Sequence, residues 1–89
     1  MRRWEIDVQG KVQGVLFRAS ARDVAKKLGL KGYAMNCGDG TVHISVEGPE
    51  EQLDQFLQWC HQGPPAAVVT AVDHKISEPV GYQEFFIKR

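Results

Sequence analysis

Between residues 3 and 9 the chain alternates Arg3, Glu5, Asp7 and Gln9 with Trp4, Ile6 and Val8. This period of two predicts a strand with one buried face. Glycines follow at positions 10 and 14, and the run Val8-Gln9-Gly10-Lys11-Val12-Gln13-Gly14-Val15-Leu16-Phe17-Arg18 closes on an arginine. A strand that feeds a glycine-punctuated loop and then a helical period leaves few folds open. The helix shows in Ala21, Val24, Ala25 and Leu28, with Lys26 and Lys27 near its end and Gly29 as its stop. Two starts are compatible with the residues: Ser20 with Asp23 has the form of a capping box, which leaves Arg18 just outside, and Phe17 serves equally well.

Gly32 to Cys37 and Thr41 to Glu47 read as two strands joined by Gly38-Asp39-Gly40, whose Asp-Gly step is a hairpin signal. Pro49 suits the first turn of a second helix, Glu50 and Glu51 complement its dipole, and Leu53, Phe56, Leu57 and Cys60 form its apolar stripe. Gly63-Pro64-Pro65 ends it. Alternation returns at Val68, Thr70 and Val72, and beyond a turn near Glu78 to Gly81 a short terminal strand holds Phe85 and Ile87. The order is βαββαβ with a short extra C-terminal strand. It predicts an α+β, ferredoxin-like sandwich with an antiparallel sheet and two helices on one face. With 89 residues and no repeat or linker, residues 1–89 are expected to form a single domain. Because that fold hosts many functions, function must be read from particular residues.

Several classes of function are disfavoured. Lys plus Arg and Asp plus Glu both count 11, so no broad field draws in nucleic acid or an anionic membrane. No run approaches the roughly 18 apolar residues of a spanning helix, and Met-Arg-Arg-Trp-Glu-Ile lacks the apolar region of a signal peptide, so a cytoplasmic protein is expected. Cys37 and Cys60 form no Cys-x-x-Cys pair and are expected to be reduced thiols. With His43, His61 and His74 they make a poor chelate, because Cys60 and His61 are adjacent; no metal is expected. Glu47, Glu50, Glu51 and Asp39 form no acid/base pair, and Ser20, Ser45 and Ser77 have no histidine at nucleophile spacing. Lys31-Gly32-Tyr33-Ala34 imitates the start of an RNA-binding sheet motif, but Met35, Asn36 and Gly38 stand where apolar and stacking residues are needed.

Two features remain. The loop from Gly10 to Gly14 is neither a nucleotide phosphate loop nor a dinucleotide fingerprint, so no nucleotide cofactor is implied. Its glycines would let backbone N–H groups turn inward as an anion nest ahead of a helix N-terminus, with Arg18 as a planar cationic fork. Spacing alone does not choose between that site and a plain turn with a solvated arginine. Asn36 lies inside a strand, where asparagine is a poor choice, and its amide can both donate and accept. It would serve either to tie down the neighbouring turn or, paired with Arg18, to hold a water beside a phosphate.

The two segments Val8 to Arg18 and Gly32-Tyr33-Ala34-Met35-Asn36, followed by Gly40, Val42 and Gly48, together resemble the acylphosphatases, small ferredoxin-like hydrolases of carboxyl-phosphate anhydrides. Leu16 falls where that family varies. The resemblance implies that Arg18 binds the phosphoryl group and that a backbone cradle of Gln13, Gly14, Val15, Leu16, Phe17 and Arg18 surrounds its oxygens. It further implies that Asn36 orients the attacking water and that the first helix starts near Phe17. The substrates would be a small acyl phosphate and, as product, inorganic phosphate, with no cofactor, no metal, no nucleic acid and no membrane, and with the protein a monomer. Two other readings compete: a non-catalytic anion-binding module, and a single-stranded RNA binder.

Overall fold

A computed structural model describes every residue from Met1 to Arg89. The elements run β1 (Arg2–Lys11), α1 (Phe17–Lys27), β2 (Lys31–Asn36), β3 (Val42–Gly48), α2 (Glu50–Gln62), β4 (Val68–Ser77) and β5 (Phe85–Ile87). The strands form one sheet in the order β4-β1-β3-β2-β5. Trp4, Ile6 and Val8 all face inward, as their alternation requires, and Ile6 lies opposite Ile44, which in turn lies opposite Ala34. Ala21 and Ala25 of α1 and Leu53, Phe56 and Cys60 of α2 close over these residues to complete one core cluster. No helix is long and apolar enough to cross a membrane.

The helix begins at Phe17, with Leu16 as its N-cap and no side-chain cap. The capping box at Ser20 does not form: the Ser20 N–H donates to the Leu16 carbonyl at 3.0 Å as an ordinary helical bond. Pro49 precedes α2 as its N-cap, in extended conformation, so Glu50 and Glu51 occupy the first turn.

Two expectations about the sheet need correction. The first is that it is wholly antiparallel: β5 runs parallel to β2. After β4, at one edge, residues 78–84 carry the chain past the ends of the central strands to the opposite edge, and β5 returns in the direction of β1 and β2. The second concerns β4, where Val68, Thr70 and Val72 do not share a buried face. Gln9 pairs with Ala71 but Gly10 with Val69, so Thr70 is an extra residue and the alternation slips by one. Val69 and Val72 pack on the core, and Val68 is exposed. Gly10, expected in the loop, lies instead within β1 beside this bulge, at φ 124°, where a Cβ would collide with the Val68 carbonyl oxygen.

The crossing segment is held by Glu47, at the end of β3. Its carboxylate is buried, 2% exposed, and accepts the backbone N–H groups of Val80, Gly81 and Tyr82 at 2.8, 2.8 and 2.5 Å. A buried carboxylate is tolerable only with such partners. Glu47→Ala, which strands three N–H groups, is expected to lower the free energy of unfolding by about 3 kcal/mol, and Glu47→Gln by less, because one acceptor oxygen remains. Urea denaturation checks both.

Candidate active site

β1, β2 and β5 point the same way, so their C-terminal ends meet at one end of the sheet. There the chain leaves β1 through Val12, 1% exposed, and re-enters the core at Phe17, also 1% exposed. Between these anchors the backbone is bent through left-handed conformations, at Gly14 (φ 75°) and again at Leu16 (φ 65°, ψ 24°). At Gly14 the requirement is conformational, since an added Cβ meets nothing within 4 Å. Leu16 adopts the same region without glycine's freedom and leaves its side chain 77% exposed, a local strain of about 1 kcal/mol.

The bend has a consequence for hydrogen bonding. No backbone N–H from Gln13 to Ala19 donates to a carbonyl or side chain of the protein, and the first helical bond is that of Ser20. A run of unpartnered donors at a helix N-terminus is positive in potential and matches an oxyanion.

Asn36, the last residue of β2, borders the same space. Its Oδ1 is buried without a hydrogen-bond partner, so it does not tie down the adjoining turn. That turn is made by other groups. Thr41 donates its N–H and hydroxyl to Asp39 Oδ1 at 3.1 and 2.7 Å, which holds the Asp39 carboxyl below the usual carboxylate range. Gln13, whose backbone N–H the resemblance assigns to the cradle, uses its side chain separately: Nε2 donates to the carbonyls of Cys37 and Thr41 at 2.8 and 2.9 Å. One amide thus straps the loop after β1 to the hairpin that carries Asn36. Val15 points into the core at 8% exposure.

Between loop and hairpin lies a cavity of about 330 Å³ bordered by Gly14, Leu16, Phe17, Arg18 and Asn36 together with Val12, Ala19, Ile87 and Arg89. Arg18 is half-buried and enters no ion pair or hydrogen bond, whereas Arg2, Arg3 and Arg22 each have a carboxylate within 4 Å. Nothing in the sequence places Arg89, or Ile87 of the terminal strand, at the cavity, because only the parallel return of β5 beside β2 brings them here.

Other chemically equipped residues lie apart from the cavity. His43 bonds Asp7 at 2.8 Å on the open face of the sheet, but the Ser45 hydroxyl pairs with Tyr82 and Arg3 and forms no bond to His43. Tyr33, the aromatic of the RNA-like motif, packs against Tyr82, Phe86 and His43, with Lys88 Nζ 4.8 Å from its ring centre, so its ring is engaged within the fold. Cys60 is buried, and desolvation pushes its thiol up, away from reactivity.

The family model described as acylphosphatase matches residues 4–87. The chain is 52% identical to the acylphosphatase of Thermotoga maritima over 88 residues, 99% of this chain and 98% of that one. The crystal structure of the acylphosphatase from Bacillus subtilis superposes with a TM-score of 0.96 at 37% identity, covering 100% of both chains. HypF of T. kodakarensis matches at TM-score 0.87 and 35% identity, covering 100% of this chain but 12% of the larger protein. Matched along its length in sequence and in fold, the chain belongs to the acylphosphatase family of acyl phosphate hydrolases.

Proposed function

We propose that the cavity at the ends of β1 and β2 is the site of acyl phosphate hydrolysis, with the phosphoryl group seated between the loop and Arg18. The observation that carries this reading is a convergence: Gly14 and residues 16–19, whose N–H groups have no partner in the protein, the unpaired Arg18 and Asn36 all border one cavity. The backbone donors from Gln13 to Phe17 and the fork of Arg18 supply positive charge for a phosphoryl dianion. The Asn36 amide hydrogen-bonds the attacking water and so orients that water's oxygen toward phosphorus. One chain supplies all these groups, so the proposed site is complete in a monomer.

The reaction asks little else of the protein. Water attacks phosphorus as the bond from phosphorus to the acyl oxygen breaks, the electron pair leaves with the carboxylate, and the water's proton passes to a phosphate oxygen. A carboxylate is a good leaving group, so no covalent nucleophile or strong base is required. Charge accumulates on the equatorial oxygens of a loose transition state, where the fixed N–H groups and Arg18 stabilise it without reorganisation.

Arg18→Lys is expected to lower kcat/KM for acetyl phosphate by about a hundredfold, because the charge remains but the two-pronged geometry is lost. Near-normal turnover would sink the assignment. Asn36→Ala is expected to reduce kcat by about a hundredfold while the inhibition constant of inorganic phosphate stays within about threefold, as for a group that acts on the water. Equal losses in both would make Asn36 structural. Gln13→Ala, which cuts the strap between loop and hairpin, should cost about tenfold in kcat through misplacement. Turnover is expected to persist in the presence of a chelator. Stabilisation of the fold by phosphate without any hydrolysis would instead support an anion-binding module.

A further inference from the structure

We propose that Leu16 is a specificity-determining residue, an apolar rim against which the hydrocarbon part of the substrate's acyl group packs. This inference rests on the placement of the phosphoryl group between the loop and Arg18. Leu16 joins two features that coincide nowhere else in the chain. It is the only non-glycine residue with a positive φ, 65°, and it is one of six large apolar residues left exposed, at 77%. Of those six, it alone borders the cavity.

An exposed leucine by itself is ordinary. One held in the left-handed region is not, because glycine there would remove both the backbone strain and the exposed apolar surface. Folding does not ask for the leucine either. Its neighbours Val15 and Phe17 are buried and fix the path of the loop, whereas Leu16 belongs neither to the core cluster nor to the residues packed against it. Strain and exposure at one residue beside a cavity point to a use outside the fold's own stability.

The cavity offers little other apolar surface. Its apolar border consists of Val12, Leu16, Phe17, Ala19 and Ile87. Val12 and Phe17 are each 1% exposed and present almost nothing to a ligand, and Ala19 and Ile87 are half-buried. The apolar area open to contact at this border is therefore chiefly that of Leu16, which stands two positions before Arg18. An acyl phosphate divides in the same way. Its phosphoryl end takes the N–H groups and Arg18, and the hydrocarbon beyond its carbonyl gains by leaving water. The fitting substrates are acyl phosphates with a hydrocarbon chain of several carbons.

Acetyl phosphate and hexanoyl phosphate share the phosphoryl group and differ by about four methylenes, and their carboxylates are comparable leaving groups. The wild-type protein is expected to favour hexanoyl phosphate about tenfold in kcat/KM, the scale of about four methylenes each losing less than half of its contact with water. Leu16→Ala should lower this preference at least threefold, mainly by raising KM for hexanoyl phosphate. Leu16→Met, which keeps an apolar side chain of similar volume, should hold it within twofold of wild type. A displaced cradle lowers both substrates together and cancels from the ratio. A wild-type preference below threefold overturns the proposal, as does a fall of less than threefold in Leu16→Ala. A loss of more than twofold in Leu16→Met overturns it as well, since loop geometry rather than apolar surface would then set the preference. Arg18→Lys, measured alongside, separates the two assignments. It should depress both substrates equally and leave the ratio unchanged; if it spares both, the phosphate placement fails while the Leu16 ratio is still read on its own.

Discussion

Two buried side chains, Val12 and Phe17, hold the ends of a loop too short and too sharply bent to satisfy its own N–H groups. Most loops shed that cost to water or to side-chain caps. Here no side chain caps the helix, and the donors border a cavity next to an unpaired arginine. The left-handed backbone of Leu16 belongs to the same arrangement. Strain at a residue with no glycine freedom persists only where buried neighbours on both sides determine the path.

A loop of this kind is useful only if what faces it is equally fixed. Three interactions see to that, and none of them touches the cavity's contents. Gln13 ties the loop to the β2–β3 hairpin, and Thr41 with Asp39 stiffens the hairpin's turn. Glu47, at the far end of the sheet, pins the segment that crosses to β5 and so sets where Ile87 and Arg89 emerge. Preorganisation of the proposed phosphate site is therefore spread over both ends of the molecule, with the sheet as the rigid link.

The electrostatics follow the same division. Summed over the chain, charge is balanced, with 11 basic and 11 acidic residues. On the open face of the sheet Arg3, Glu5, Asp7, His43 and Lys75 neutralise one another in a network of close pairs. The cavity is the exception, since the charged side chains that border it are those of two arginines. Local geometry, not net charge, is what supports the proposed anion site.

Much was legible in the residues alone, because short-range physics governs it. Period-two alternation placed β1, the 3.6 period placed both helices, and Asp39-Gly40 placed the hairpin; Arg18 and Asn36 stood out by chemistry and by resemblance. Three things were decided by tertiary structure. The face presented by β4 depends on a bulge at Thr70, which appears only in its pairing with β1. The side chain of Gln13 spends both its donor bonds on carbonyls 24 and 28 positions away, a choice that no local pattern encodes. Finally, β5 joins β2 in parallel after a crossing that a buried glutamate holds in place, and that long-range pairing brings Ile87 and Arg89 to the cavity. Local periodicity fixes which residues face inward within an element; which elements meet is settled by contacts far apart in the chain.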